Sequence, residues 1–580
     1  MVGKIISVIL TGLVVGSSVA VLVQIFLYSI NFLSNIFRTD FTDLVNQQHF
    51  SINELVIKII FFFLIVPFFV GLVVGIIRNF TKGKRWHGPP DVILSVHKDD
   101  EELNVKSGFL TSIASILSIS CGSSVGQYGP LVHFGGTIGA EIKKLFSYAP
   151  DYKILVSSGV ASAISAGFGA PLAGLIYARE VVLRHQSLAS FSPILLSSII
   201  SYFFTVEIFE YEPSLNIPSV TGNNAINVIV TILAGIFAGL LASLYSYLLT
   251  NKNFNFLNNV GSKSYLTPAY AGVICGIVAI KFPEVTGIGS QTINDLLNNK
   301  ITLNLALIFL VLKLFLTTLC IRMGLVGGIF APALFLGASL GVVSAGLGTL
   351  LSENVNPFLI ILSSMAALGS CIIGGPIANV LIVFELTSNY QAALSAGVCI
   401  VVATIVSSQL IGQSTFDQLL NNRNVDITVG RDILFLQRKK IKEIVDKDFL
   451  KIDGNITVKE AIEMFKTFEC SEAYYVGLND SEVEGEYKWS SGQTTDFGNN
   501  HDLIHRQMWL AQQGMARDRD YFVVQHNDIG FTDYVPQDGS NPTLYGGQYG
   551  QLTWVVNSSE NSWYSYAEPY GIAEIDKCNN

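Results

Sequence analysis

The run ELVIKIIFFFLIVPFFVGLVVGII, residues 54 to 77, dictates the solvent in which this chain folds. At about 1.5 Å of helix per residue it reaches across the hydrocarbon of a bilayer, and in water it would expose a large contiguous apolar surface. LNLALIFLVLKLFLTTLCI, residues 303 to 321, repeats the signal, and comparable runs recur from about Ile5 to Gln413. Backbone in lipid has no water to bond, so runs of this length are helices. The composition agrees, with 14% charged residues and a mean hydropathy of +0.47, outside the range of soluble globular domains. The first run, residues 5 to 30, lacks a small-residue cleavage site followed by a soluble domain, and reads as a retained membrane helix rather than a signal peptide.

Several runs are short or interrupted by Gly and Pro, which is tolerated at membrane depth only where backbone lines a cavity or is buried in protein. The interruptions repeat. GQYGPLVHFGGTIG (126 to 139) set over GIFAPALFLGASLG (328 to 341) pairs Gly126 with Gly328, Pro130 with Pro332, Gly135 with Gly337 and Gly139 with Gly341. PLAGLIYARE (171 to 180) set over PIANVLIVFE (376 to 385) pairs a Pro and a Glu at equal spacing. The membrane part is therefore a tandem of two related halves. Broken segments at corresponding places in both halves point to a binding site at the bilayer midplane. A Gly-rich turn into a helix leaves the first backbone N–H groups without partners, and the positive end of the helix dipole favours an anion. Pro130 and Pro332 suit a first helical turn, where proline has no N–H to lose. Two such starts can hold a desolvated anion without a fixed Lys or Arg, whose charge would hold the ion too long for conduction. The plainer reading of these glycines is close helix packing; their recurrence in both halves favours the ion site.

These residues resemble the CLC chloride channel and chloride/proton antiporter family over about residues 10 to 425. RWHGPPDV (85 to 92) is similar to the family's first anion-binding loop, GQYGP (126 to 130) to its GREGP motif, GGIFAP (327 to 332) to its GxFxP motif, and STFDQLL (414 to 420) to the stretch that carries the inner tyrosine. GAPLAGLIYAREVVL and FELTSNY add to the match. The resemblance implies an all-α multi-spanning membrane protein built as an inverted repeat of broken helices, a homodimer with one anion pathway per subunit. It also implies an anion-binding set of His87, Gly88, Gly126, Gln127, Tyr128, Gly129, Ile329, Phe330, Ala331 and Phe416, with Tyr128 and Phe416 as gates.

Where the sequence departs from the family's pattern, proton chemistry is affected first. The gating glutamate of GREGP is Tyr128 here, and the arginine before it is Gln127. A phenol with an ordinary pKa near 10 does not cycle protons near neutral pH. Antiporters keep an inner proton-transfer glutamate at the position of Val181. Phe416 lacks the hydroxyl of the inner tyrosine, and His87 replaces a serine. His87 reads either as an ion contact or as a satisfied polar residue near the membrane face, and His133 as a packing residue. Glu180 and Glu385 are expected to be structural, bonded to helix N-termini in their own halves, with a proton role as the alternative.

The chain thus divides into a membrane domain, residues 1–430, and an extension of small mixed α/β character. RKKIK (438 to 442) after the last apolar run sets that end on the cytoplasmic side of the cell's inner membrane. Residues 431–472 resemble the opening strand and helix of a CBS domain and stop short of completing it, so no adenine-nucleotide site is expected. Residues 473–580, with GLND followed by EGEYKW, resemble a C-type lectin-like domain without its calcium-binding patterns, which leaves a protein or glycan partner open. The net charge of −9 lies largely in this tail and argues against nucleic acid. No His/Cys cluster has metal-ligand spacing, and the cysteines of the apolar runs read as small buried hydrophobes. The expected activity is passive, proton-uncoupled conduction of chloride or a similar small anion, with no enzyme chemistry and no cofactor, the anion itself being the substrate. The alternatives are chloride/proton antiport through unfamiliar residues and a conduction-deficient anchor for a lectin-like module.

Overall fold

The computed structural model describes residues 2–37, 57–58, 60–98, 102–145, 150–184, 188–211, 225–251, 265–423 and 425, together with five short strands beyond residue 477. Two compact units divide the chain, Met1–Arg431 and Asp432–Asn580.

The first unit is helical, and among the described residues seven helices are long and apolar enough to cross a membrane. Its halves correspond helix for helix. Val105–Ser120, Tyr128–Leu145, Tyr152–Phe168, Pro171–Tyr177 and Leu188–Phe203 are answered by Leu303–Arg322, Phe330–Thr349, Pro357–Ile373, Pro376–Thr387 and Tyr390–Ile411. The same residues break the path in each half. Tyr152–Phe168 ends on Gly169 at φ 67°, and Pro171 opens the next helix; Pro357–Ile373 ends on Gly374 at φ 73°, and Pro376 opens the next. A left-handed glycine stops a helix at no steric cost, and a proline restarts one where an N–H would be spare.

Glycines also set how closely these helices pack. A Cβ on Gly135 would strike the carbonyl of Gly159, one on Gly139 the carbonyl of Leu155, and one on Gly337 would sit 2.6 Å from the Cα of Met365. The motif's glycines therefore have two uses, packing at these positions and the bridge described below at Gly126 and Gly328. Charge is rare inside the bundle, where burial in the membrane demands partners. Fully buried Lys313 donates to the carbonyls of Val285 (3.1 Å) and Gly287 (2.8 Å) and lies 4.8 Å from the Phe335 ring centroid. Cys121, Cys275, Cys320, Cys371 and Cys399 are buried and, among the described residues, outside any disulfide.

In the second unit, Leu478–Asp480, Tyr487–Trp489 and Thr494–Thr495 form an antiparallel sheet, and Arg519–Val523 pairs antiparallel with Thr553–Asn557. The CBS-like segment, 431–472, lies outside the described residues, as does the lectin-like tail, 473–580, apart from these strands.

Candidate anion site

Two loops, one from each half, meet through their glycines. The Gly126 N–H donates to the Gly328 carbonyl at 2.7 Å, and the Gly328 N–H donates back to Gly126 at 2.5 Å. Side chains have no room there: a Cβ on Gly126 would lie 2.8 Å from the Ala331 Cβ, and one on Gly129 would lie 2.8 Å from the Gly328 Cα. The bridge sets the start of Tyr128–Leu145 beside the start of Phe330–Thr349. Equivalent residues that exchange equivalent bonds are what a two-fold relation between the halves produces.

Two more helix starts, at Pro171 and Pro376, are each closed by a carboxylate. Glu385 accepts from the N–H groups of Leu172 and Ala173, both at 2.8 Å, and Glu180 accepts from Ile377 at 3.1 Å and Ala378 at 2.9 Å. The expectation that each glutamate serves its own half is thereby corrected: each caps a helix of the other half. The cause is reach. The start of its own helical stretch lies nine residues back, about 14 Å along the axis, whereas the two-fold relation brings the other half's start alongside. The starts at Tyr128 and Phe330 have no acidic residue in their first turn. Their spare N–H groups are left to a ligand, and each dipole end favours an anion by roughly 0.3–1 kcal/mol, nearer ~2 kcal/mol where water is excluded.

A cavity of about 230 Å³ opens at these two starts. His87, Gly88, Tyr128, Gly129, Ile329, Phe330 and Phe416 line it, while Gly126, Gln127 and Ala331 do not. Gly126 is occupied by the bridge, and Gln127 and Ala331 are buried behind the wall. The Tyr128 ring is fixed by aromatic neighbours: it stacks on Phe168 at 3.8 Å and 9°, and meets the edge of Phe330 at 5.9 Å and 76°. The buried Tyr245 hydroxyl donates to the Ile329 carbonyl at 3.3 Å and braces the second loop.

On another wall, Trp86 Nε1 donates to the Gly324 carbonyl at 2.8 Å and ties the RWHG loop to the loop before Gly327. Asp91, on Pro89–His97, a helix of nine residues too short to span, takes Arg85 at 2.6 Å and Arg423 at 2.9 Å on Oδ1, and the Gly88 N–H at 2.9 Å on Oδ2. Burial pushes the Asp91 carboxyl up, but Arg423 and Arg85 outweigh it and hold it at about 2. Asp91 is thus a carboxylate neutralised by arginine. His87 Nε2 lies 3.1 Å from the Lys82 carbonyl, which only accepts, so Nε2 carries the proton, and Nδ1 lies 3.9 Å from Asp91. The His87 ring centroid is 5.8 Å from that of His133, a buried ring neither of whose nitrogens has a partner among the described residues.

Phe416 sits on Thr415–Asn421, a short helix capped by Ser414 and pinned by Arg184 on Asp417 Oδ1 at 2.5 Å and by Thr415 on Ser246 at 3.0 Å. Val181 is buried in the π-helical segment Ala178–Leu183 that follows Pro171–Tyr177. Phe168, Tyr177, Asp91 and Arg423 were not singled out from the sequence. Only Asp91 leaves a trace there, as the lone carboxylate of RWHGPPDVILSV, two residues into a proline-started helix.

A bundle of two related halves whose broken helices leave two uncapped N-termini at one internal cavity defines a multi-spanning anion-transport protein. The Voltage gated chloride channel family matches residues 68–408. The chain belongs to that family, whose members are channels and transporters. It is similar to a putative chloride channel protein ClcB-like of Ralstonia nicotianae, at 27% identity over 57% of this chain and 79% of that protein. It is also similar to the H(+)/Cl(−) exchange transporter ClcA of Vibrio campbellii, at 29% identity over 52% of this chain and 67% of that one. Among solved structures, a slow cyanobacterial Cl−/H+ antiporter shares the fold with a TM-score of 0.64 at 21% identity, covering 72% of this chain and 98% of its own.

Proposed function

We propose that the protein conducts chloride or a similar small anion passively, without moving protons, through one pathway in each subunit of a homodimer. The observation that carries this reading is Tyr128 at the cavity between the two uncapped helix starts, stacked on Phe168 at 3.8 Å, where a titrating carboxylate would be needed for coupling. Val181 adds to it: at the second proton-handling position stands a buried alkyl group. The cavity's own carboxylate, Asp91, is bound by two arginines. The anion would be held by the N–H groups at the starts of Tyr128–Leu145 and Phe330–Thr349, with the backbone of Gly129, Ile329 and Phe330 as walls and Tyr128 and Phe416 as the narrow points. His87 contributes its ring face, since its N–H is engaged by Lys82. No cofactor takes part. The protein resides in the inner membrane of the cell with the extension on the cytoplasmic side, where the tail is free to meet a protein or glycan.

One observation favours a second reading, proton-coupled exchange: His133, buried and with both nitrogens unpartnered among the described residues, lies beside His87 one turn beyond Tyr128. Reconstitution separates the two. Liposomes loaded with chloride and diluted into chloride-free buffer lose chloride by the conduction reading with no proton uptake against a gradient; uphill proton uptake driven by chloride would establish exchange.

A further inference from the structure

Apart from the backbone N–H groups of the two helix starts, the cavity wall is poor in free donors. Trp86 donates to Gly324, the Gly88 N–H and Arg423 to Asp91, and the His87 N–H to Lys82. Phe416 has no donor to give. Two phenols remain on the wall, Tyr128 and, from the opposite side of the sequence break at Gly169, Tyr177.

Tyr177 is 3% exposed, and its hydroxyl has no hydrogen-bond partner among the described residues. The hydroxyl is not among the sealed, unpartnered polar atoms of the interior, and Tyr177 lines the cavity, so the hydroxyl is left to a ligand or water there. The residue closes the helix Pro171–Tyr177, and the chain widens into a π-helical turn at the next position, Ala178. Such turns shift the register of the side chains around them and are frequent at functional sites. The far end of the same helix is closed by Glu385, so its N–H groups are spent and only the Tyr177 end faces the cavity.

We infer that the Tyr177 hydroxyl is a hydrogen-bond donor to the conducted anion, supplying from the Pro171–Tyr177 helix the phenol that Phe416 does not supply. The inference rests on the proposed anion conduction. A neutral donor suits the task, because it deepens the site without the full charge that would trap the ion.

The test is equilibrium chloride binding to the purified full-length protein, by titration calorimetry, beside chloride efflux from liposomes. Tyr177→Phe keeps the ring and removes the donor, and is expected to weaken chloride binding about tenfold, the scale of one hydrogen bond to an ion. Tyr177→Phe combined with Phe416→Tyr is expected to recover affinity to within about threefold of wild type, since the second change restores a phenol to the same cavity. Wild-type affinity in Tyr177→Phe, or no recovery in the double variant, overturns the inference while leaving anion conduction standing. A wild-type protein that neither binds nor passes chloride overturns both.

Discussion

Glu180 and Glu385 exchange helix caps across the two halves: each carboxylate accepts two N–H groups from the helix that the other half's proline restarts. This decides where an anion can go. Of the four helix starts at Tyr128, Pro171, Phe330 and Pro376, the two bearing these caps are neutralised, and the two without acidic first turns stay positive at the cavity. Removal of either cap leaves two N–H groups unpaired at a partly buried site. Glu180→Ala and Glu385→Ala should each destabilise the protein by about 2 kcal/mol, discounted from two charge-assisted bonds for partial exposure. Thermal unfolding in detergent measures it, and unchanged midpoints for both variants would show the caps to be idle.

Much of this arrangement is legible in the chain because duplication doubles each signal. The paired glycines 126 and 328, the paired prolines 130 and 332, and the membrane character follow from glycine, proline and apolar run length, all local properties. The cross-half destination of Glu180 is not local: PLAGLIYARE read alone suggests its own helix, and only the two-fold relation brings Ile377 within reach. Phe168 and Tyr177 were invisible for a similar reason, as an aromatic in an apolar helix carries no mark of whether it faces lipid, core or cavity.

Packing glycines should fail differently from tolerant ones. A side chain at Gly139 would collide with the Leu155 carbonyl, whereas a Cβ on Gly397 would meet only Val380 Cγ2, at 3.8 Å. Gly139→Val should abolish the folded membrane-extracted protein, with overpacking of several kcal/mol, while Gly397→Ala should purify at wild-type yield. Size-exclusion profiles of the two would settle it, and an intact Gly139→Val would mean that the helices separate at little cost.

Acid should not open the Asp91 clamp in the physiological range. Because Arg423 and Arg85 hold that carboxyl at about 2, its contribution is complete above the unfolded value of about 3.9 and is lost only as pH falls through about 2. Asp91→Asn strands two arginines and should cost about 3 kcal/mol, the low end for a broken buried pair since both arginines are partly exposed. The gap in melting temperature between the variant and wild type should be equal at pH 7.5 and pH 5.0. A gap that closes at pH 5.0 would mean that Asp91 takes up its proton there.

At Tyr128 two effects compete. Its hydroxyl can donate to a partly dehydrated halide, deepening the site by about 1.5–3 kcal/mol, whereas its ring narrows an apolar passage and raises the barrier to every ion. The stack on Phe168 at 3.8 Å and the edge contact with Phe330 at 5.9 Å make the ring a fixed obstruction, and rotation out of the way would forfeit about 0.5–1.5 kcal/mol per contact. The steric term should therefore govern flux. Tyr128→Ala is expected to raise chloride efflux by roughly threefold to tenfold, equivalent to about 0.6–1.4 kcal/mol off the barrier. Tyr128→Phe keeps the stack and should change efflux little. Tyr128→Glu should make conduction depend on acid, since a carboxylate set between two positive helix ends competes with the anion until it is protonated. Loss of flux in both the alanine and the phenylalanine variants, each running as a folded species on size exclusion, would make the hydroxyl the essential ligand and end the steric account.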